Sequence, residues 1–189
     1  MKFICLAVTM ITIFGTIAEA QQKKKTNKPV RFLAGAALEL GGDKVAEVYF
    51  TDGSVQSIRA GQGGTVFAGA QFRLNQKETF FLRSSIGIKY VTTKADNAHI
   101  RLTRIPLQLT FNYMPANKIR LAAGVVTHQA IRLKFDGVGD NSKLTSSPGM
   151  VLEAGYGLFA LSYTFMTYKD NASRSFSANA IGITISGVL

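Results

Sequence analysis

From Val30 onward hydrophobic and polar residues alternate with period 2, interrupted by clusters of Gly, Asn and Asp. The stretch His99–Tyr113 shows the pattern best. Ile105, Leu107, Leu109, Phe111 and Tyr113 fall on one face, and Arg104, Pro106, Gln108, Thr110 and Asn112 fall on the other. Successive side chains of a strand point to opposite faces, so the pattern predicts a strand with one apolar and one polar surface. On a helix the same residues would scatter around the axis. The reading repeats over Phe32–Leu40, Val66–Leu74, Leu82–Tyr90, Ile119–His128, 149–156, 158–168 and Ile181–Ser186. That makes eight strands, most of them near the ~9–11 residues that a tilted membrane strand needs.

The predicted connections alternate in length. Asn75–Glu78, Pro115–Lys118 and the Gly155–Gly157 region are tight, whereas Gly41–Gly64, Lys94–Ala98, Asp136–Pro148 and Lys169–Arg174 are longer or more polar. Short turns at one end and longer loops at the other are the habit of outer-membrane barrels, and place both chain termini in the periplasm. Within the first loop, Val45–Thr51 and Ser54–Ala60 flank Asp52-Gly53, a hairpin turn signal. Its short arms predict a protruding hairpin; counting them into the wall would give ten strands.

Two arrangements accommodate such strands. A soluble barrel turns its apolar face inward, while a membrane barrel turns it to lipid and fills its interior with the polar face. Here the polar face is rich in Gly, Ser and Thr beside a few long charged residues, which suits a narrow interior better than a wet surface. Phe and Tyr near the strand ends suit the two membrane interfaces. The expected fold is therefore an all-β, closed, antiparallel up-and-down transmembrane barrel. The alternative is a soluble periplasmic barrel binding an apolar ligand in the manner of lipocalins.

The N-terminus supplies an export signal. Lys2 precedes the apolar stretch Phe3–Phe14, and Ala18-Glu19-Ala20 offers small residues for cleavage before Gln21. The stretch is too short for a membrane helix. Residues 1–20 are thus expected to be a cleaved signal peptide, 21–29 (QQKKKTNKP) a flexible basic arm, and 30–189 one barrel domain. Cys5 lies inside the signal, so the mature chain has neither disulfides nor a thiolate metal site. The net charge of +11 would suit nucleic acid, but export removes that partner. An anionic, phosphate-rich membrane surface is the accessible counter-charge.

The segment RIPLQLTFNY (Arg104–Tyr113) followed by LAAG (Leu121–Gly124) resembles the small outer-membrane β-barrel proteins of Gram-negative bacteria, the porin-like "outer membrane protein beta-barrel domain" group. GGDK (Gly41–Lys44), FTDGS (Phe50–Ser54) and AGQGG (Ala60–Gly64) are similar to segments of uncharacterised members. The resemblance covers roughly residues 31 to 189 and implies location and architecture rather than a chemistry. It implies outer-membrane lipid and lipopolysaccharide as surroundings, and the barrel-insertion machinery as a partner during biogenesis. The chain departs from the family in ending Gly187-Val188-Leu189, where members commonly end in an aromatic residue.

Eight strands enclose a space that side chains mostly fill, which argues against a general porin channel. The charged residues assigned to the inward face are Glu39, Arg73, Arg83, Lys89, Arg104, Arg120 and Glu153. Buried carboxylates stay ionised when paired, and Arg offers bidentate geometry, so these residues are expected to form a structural interior charge network. The functional alternative is an anion-attracting vestibule. His99 and His128 are the only histidines, and with no His-x-x-x-His spacing neither a metal nor any other cofactor is expected. A lipid hydrolase could draw on His128, Glu153 and Ser162, but no nucleophile elbow supports it. Asp136, Asp140 and Asn141 read as turn residues rather than a calcium loop. Gly61–Gly64 lacks the Gly-Lys-Ser/Thr ending of a phosphate loop. The expected role is a non-enzymatic barrel acting through its outer loops, whose partner the sequence does not name.

Overall fold

A computed structural model describes residues 28–49, 55–95, 98–136 and 141–189. The expected signal peptide and residues 21–27 of the basic arm lie outside the described residues. Those described form thirteen strands and no helix: β1 (Val30–Leu40), β2 (Lys44–Tyr49), β3 (Val55–Arg59), β4 (Gly63–Arg73), β5 (Phe80–Ala95), β6 (Ala98–Ala116), β7 (Ile119–Asp136), β8 (Ser142–Ser146), β9 (Gly149–Tyr156), β10 (Phe159–Phe165), β11 (Thr167–Lys169), β12 (Ser175–Ser177) and β13 (Ala180–Val188).

Eight of them close a ring in the order β1-β4-β5-β6-β7-β9-β10-β13, every pairing antiparallel. The seam joins the first strand to the last, from Leu33 opposite Val188 to Leu40 opposite Ile181. Closure leaves the wall without an edge. The β2–β3 hairpin pairs only with itself, which decides eight wall strands over ten.

Two expected segments differ from the structure. The stretch 158–168 is split at Met166, because β9 and β13 offer no wall partner beyond Phe165. Asn179 Oδ1 accepts the Met166 amide at 2.9 Å, and β11 then pairs with β8 and β12. Lys94, Ala95 and Ala98, expected in a connection, are strand residues: β5 runs to Ala95 and β6 starts at Ala98, the two paired with each other. β5, β6 and β7 are the longest strands and carry the sheet well past the rest of the wall.

The facing of the side chains is unambiguous. Leu107, Leu109, Phe111, Leu121, Val125, Leu152, Leu161, Ile181 and Ile183 are all exposed on the outer wall. Gln71, Lys89, Arg104, Thr110, Asn112, Arg120, Ser162, Thr164 and Thr184 are buried in the interior. A barrel folded for water would show the reverse. Exposed aromatics mark both ends of this apolar band. Phe32, Phe72, Phe80, Tyr113, Tyr156 and Phe159 lie toward the turn end, and Tyr90, Tyr163 and Phe165 toward the loop end. From Phe80 to Tyr90 a strand rising ~3.3 Å per residue and tilted ~40° spans about 25 Å, the height of an outer-membrane barrel's apolar band.

At the loop end the pattern inverts. Ile100, Leu102, Ile131, Leu133, Leu144, Met166 and Tyr168 are buried together, joined by Ile58 and Ala60 from the hairpin. Their strand neighbours Arg132, Lys134, Lys143 and Lys169 point out and are exposed. The switch on β7 comes from a bulge. Ile105 pairs with Gln129 and Thr103 with Arg132, so β7 carries one extra residue there, and Ala130 takes φ 50. One inserted residue exchanges the two faces for the rest of the strand. The hairpin expected to protrude instead folds back: Ile58 is buried, and Gln56 Oε1 accepts a hydrogen bond from Thr93 on β5.

Candidate functional site

The interior polar groups stand at three levels. At the turn end, Arg31 and Arg73 share the Glu78 carboxylate at 2.6 Å and 3.2 Å. Arg73 therefore serves a turn rather than the middle of the barrel.

In the middle, Arg120 on β7 meets Glu153 on β9 at 2.6 Å. Gln108 donates to the same carboxylate at 2.8 Å, and Arg120 also donates to Asn112 Oδ1 at 3.0 Å. Arg83 donates to Gln71 Oε1 at 2.7 Å. Arg120 with Glu153, Arg120 with Asn112, and Arg83 with Gln71 each join inward positions of adjacent wall strands, whereas Gln108 reaches Glu153 across β7.

The third level underlies the apolar cluster. Lys89 pairs with Glu39 at 2.9 Å and donates to the Gly61 carbonyl at 2.7 Å. Arg104, fully buried, donates to the carbonyls of Ala60 and Gln62 and to Tyr168 Oη at 3.3 Å. Three consecutive carbonyls at the foot of the β2–β3 hairpin thus face two buried cations. Gly61–Gly64 is the opposite of a phosphate cradle, which would present N–H groups. Gly63 is needed here, because it has φ +151 and a Cβ would lie 2.9 Å from Arg104 Nη2.

The hydrolase candidates do not form a catalytic arrangement. His128, Glu153 and Ser162 line one small cavity of about 60 Å³, together with apolar residues such as Phe67, Val126 and Val151. Yet His128 Nδ1 is bonded to Tyr168 Oη, and Glu153 is held by Arg120 and Gln108. No hydrogen bond links His128 to Ser162 or Glu153 among the described residues, so the nucleophile–base relay is missing. A cavity of this volume has room for a few waters. At the loop end Asn141 Oδ1 accepts the Phe135 amide at 3.0 Å, a turn contact; Asp140 lies outside the described residues. His99 Nε2 meets Thr92 Oγ1 at 2.8 Å on the exposed extension. No group of three or more His, Cys, Asp or Glu residues is placed to hold a metal among the described residues.

Tyr168 is the residue that sequence reading missed. It is fully buried and touches both Arg104 and His128. The in–out alternation of β10 carries on through Met166 to Tyr168, but there the inward positions are large and mainly apolar instead of small and polar, so the residue did not stand out as part of a polar interior.

The fold and this interior define a closed, all-β, eight-stranded up-and-down barrel with a polar, side-chain-filled core. No protein-family model matches the chain, and no curated protein matches it by sequence. Among solved structures it is similar to the attachment invasion locus protein Ail of Yersinia pestis, at 9% identity and TM-score 0.43, over 84% of this chain and 97% of that one. It is also similar to Neisserial surface protein A, at 14% identity and TM-score 0.43, with the same coverage of 84% and 97%.

Proposed function

We propose that the chain is a non-enzymatic outer-membrane β-barrel protein with a structural, adhesive or envelope-integrity role carried by its loop end. The observation that carries this reading is the inversion of side chains along the wall. Between the two aromatic levels the apolar residues face out and the polar ones in; past the loop-end aromatics the order reverses. A wall that meets hydrocarbon in one zone and water in the next requires that change.

The packed interior supports a role other than conduction. Arg120–Glu153, Lys89–Glu39 and the hairpin foot fill the lumen from the middle upward. On this reading the signal peptide is removed on export, both termini are periplasmic, lipid and lipopolysaccharide surround the barrel, and the insertion machinery assembles it. A lipocalin-like binder would need Leu107, Leu109 and Phe111 inside, and they are outside.

Cell fractionation with heat-modifiable gel migration tests the reading, combined with protease shaving of intact cells at residues 41–64. Recovery in the outer-membrane fraction, with a folded form that migrates differently from the boiled one and cleavage from outside, is expected. Recovery in the soluble periplasmic fraction would overturn it.

A further inference from the structure

We propose that the outer wall of β4–β7 and the adjoining face of β7–β8 form a binding site for a phosphate-bearing lipid, acyl chain in a furrow and headgroup on a basic cluster. The site rests on the outer-membrane reading.

The furrow comes from small residues on the outer wall. Ala70, Ser84, Leu109 and Val125 occupy one rung across β4, β5, β6 and β7, and Ala68, Ile86, Leu107 and Thr127 the next. The small side chains Ala68, Ala70 and Ser84 leave a depression between Phe72 and the bulkier residues, about 820 Å³ in volume. It is lined mostly by apolar atoms, lies within the apolar band and extends to Gln129 and Pro148. In that zone only hydrocarbon is available to fill it.

The basic cluster begins three residues beyond Gln129, across the Ala130 bulge. Arg132 on β7 lies directly opposite Lys143 on β8. Lys134 follows on the same face, opposite Arg101, and Lys169 stands opposite Thr145, diagonal to Lys143. Like charges directly opposed across a sheet are destabilising by themselves, so the arrangement favours an anion between them. Arg132, Lys134, Lys143 and Lys169 carry no ion pair among the described residues. Arg132 also shares a rung, through Thr103, with Tyr90, the aromatic at the loop-end edge of the band. Headgroup phosphates lie at the depth where such aromatics sit. The bulge makes the site: without it Arg132 and Lys134 would point into the barrel.

Native mass spectrometry of the full chain, from micelles doped with equal phosphatidylglycerol and phosphatidylcholine of matched acyl chains, tests this. The unaltered protein is expected to retain phosphatidylglycerol at least tenfold over phosphatidylcholine. Arg132→Gln with Lys143→Gln should lower phosphatidylglycerol retention about tenfold and leave phosphatidylcholine unchanged. Ala70→Phe, which fills the furrow, should reduce both. A double variant that keeps its phosphatidylglycerol, or no preference in the unaltered protein, would overturn the site. So would binding of heparin with no phosphatidylglycerol retained, which would assign the cluster to an acidic polysaccharide. Heat-modifiable migration is read on every sample. A folded barrel without lipid preference rejects only the site, whereas a chain that never shows that migration rejects the outer-membrane reading itself.

Discussion

Val125 and Ile131 stand an even number of residues apart on β7, yet Val125 is 54% exposed on the outer wall and Ile131 2% exposed inside. The extra residue at Ala130 separates them. Below it, odd-numbered side chains of β7 face out; above it, they face in.

Deleting Ala130 should therefore turn Ile131, Leu133 and Phe135 outward and Arg132 and Lys134 inward. We expect the wall to assemble, since its lower pairings are untouched, while the loop-end cluster comes apart. Limited trypsin digestion of the folded barrel checks this: the variant should be cut at the loop end at least tenfold faster than the unaltered protein. Equal rates would mean that the bulge does not set the facing.

Arg104 holds the carbonyls of Ala60 and Gln62 at the foot of the β2–β3 hairpin. Arg104→Ala should release the hairpin and leave buried carbonyls without a donor, each costing roughly 1–3 kcal/mol. Amide hydrogen exchange over residues 55–62 should accelerate by more than tenfold, with exchange in β10 and β13 unchanged.

Removing one partner of a buried ion pair costs more than removing both. Arg120→Ala strands the Glu153 carboxylate and should destabilise the barrel by about 3–5 kcal/mol. Adding Glu153→Gln should recover part of that loss. Urea unfolding in lipid vesicles measures both variants; a double variant no better than the single would show that Arg120 acts through Asn112 instead.

Asp170 offers a pH readout in the β11–β12 connection. Desolvation works against its ionisation, but hydrogen bonds from the Arg174 side chain and backbone, with the Ala172 amide, outweigh it and hold the carboxyl below its ordinary range. The contribution of a carboxyl lowered in this way is present above its unfolded value and is lost as pH falls through the folded one. An NMR titration should place the Asp170 midpoint below that of an unperturbed aspartate, and Arg174→Gln should raise it. A midpoint insensitive to that change would contradict the contact.

Much of the wall was legible because a strand's period of 2 is written locally. All eight wall strands coincide with alternating segments, and the Gly, Ser and Thr content of the polar face pointed to a narrow interior. The three levels of interior charge were not legible. The Arg104 contacts join residues 42 to 64 positions apart, and the hairpin foot at Ala60–Gln62 shows nothing in its own composition that calls for a cation.

The alternation along the chain by itself determined that the wall strands carry one apolar and one polar face, since neighbouring Cβ atoms must point opposite ways; closure rests on the pairing of the first strand with the last. Where the phase slips by one residue, which loop folds back over the mouth, and which cations end up outside facing one another were decided only by the tertiary structure. Those outcomes depend on the partner strand a residue finds across the barrel, and pairing at a distance leaves no mark on local period.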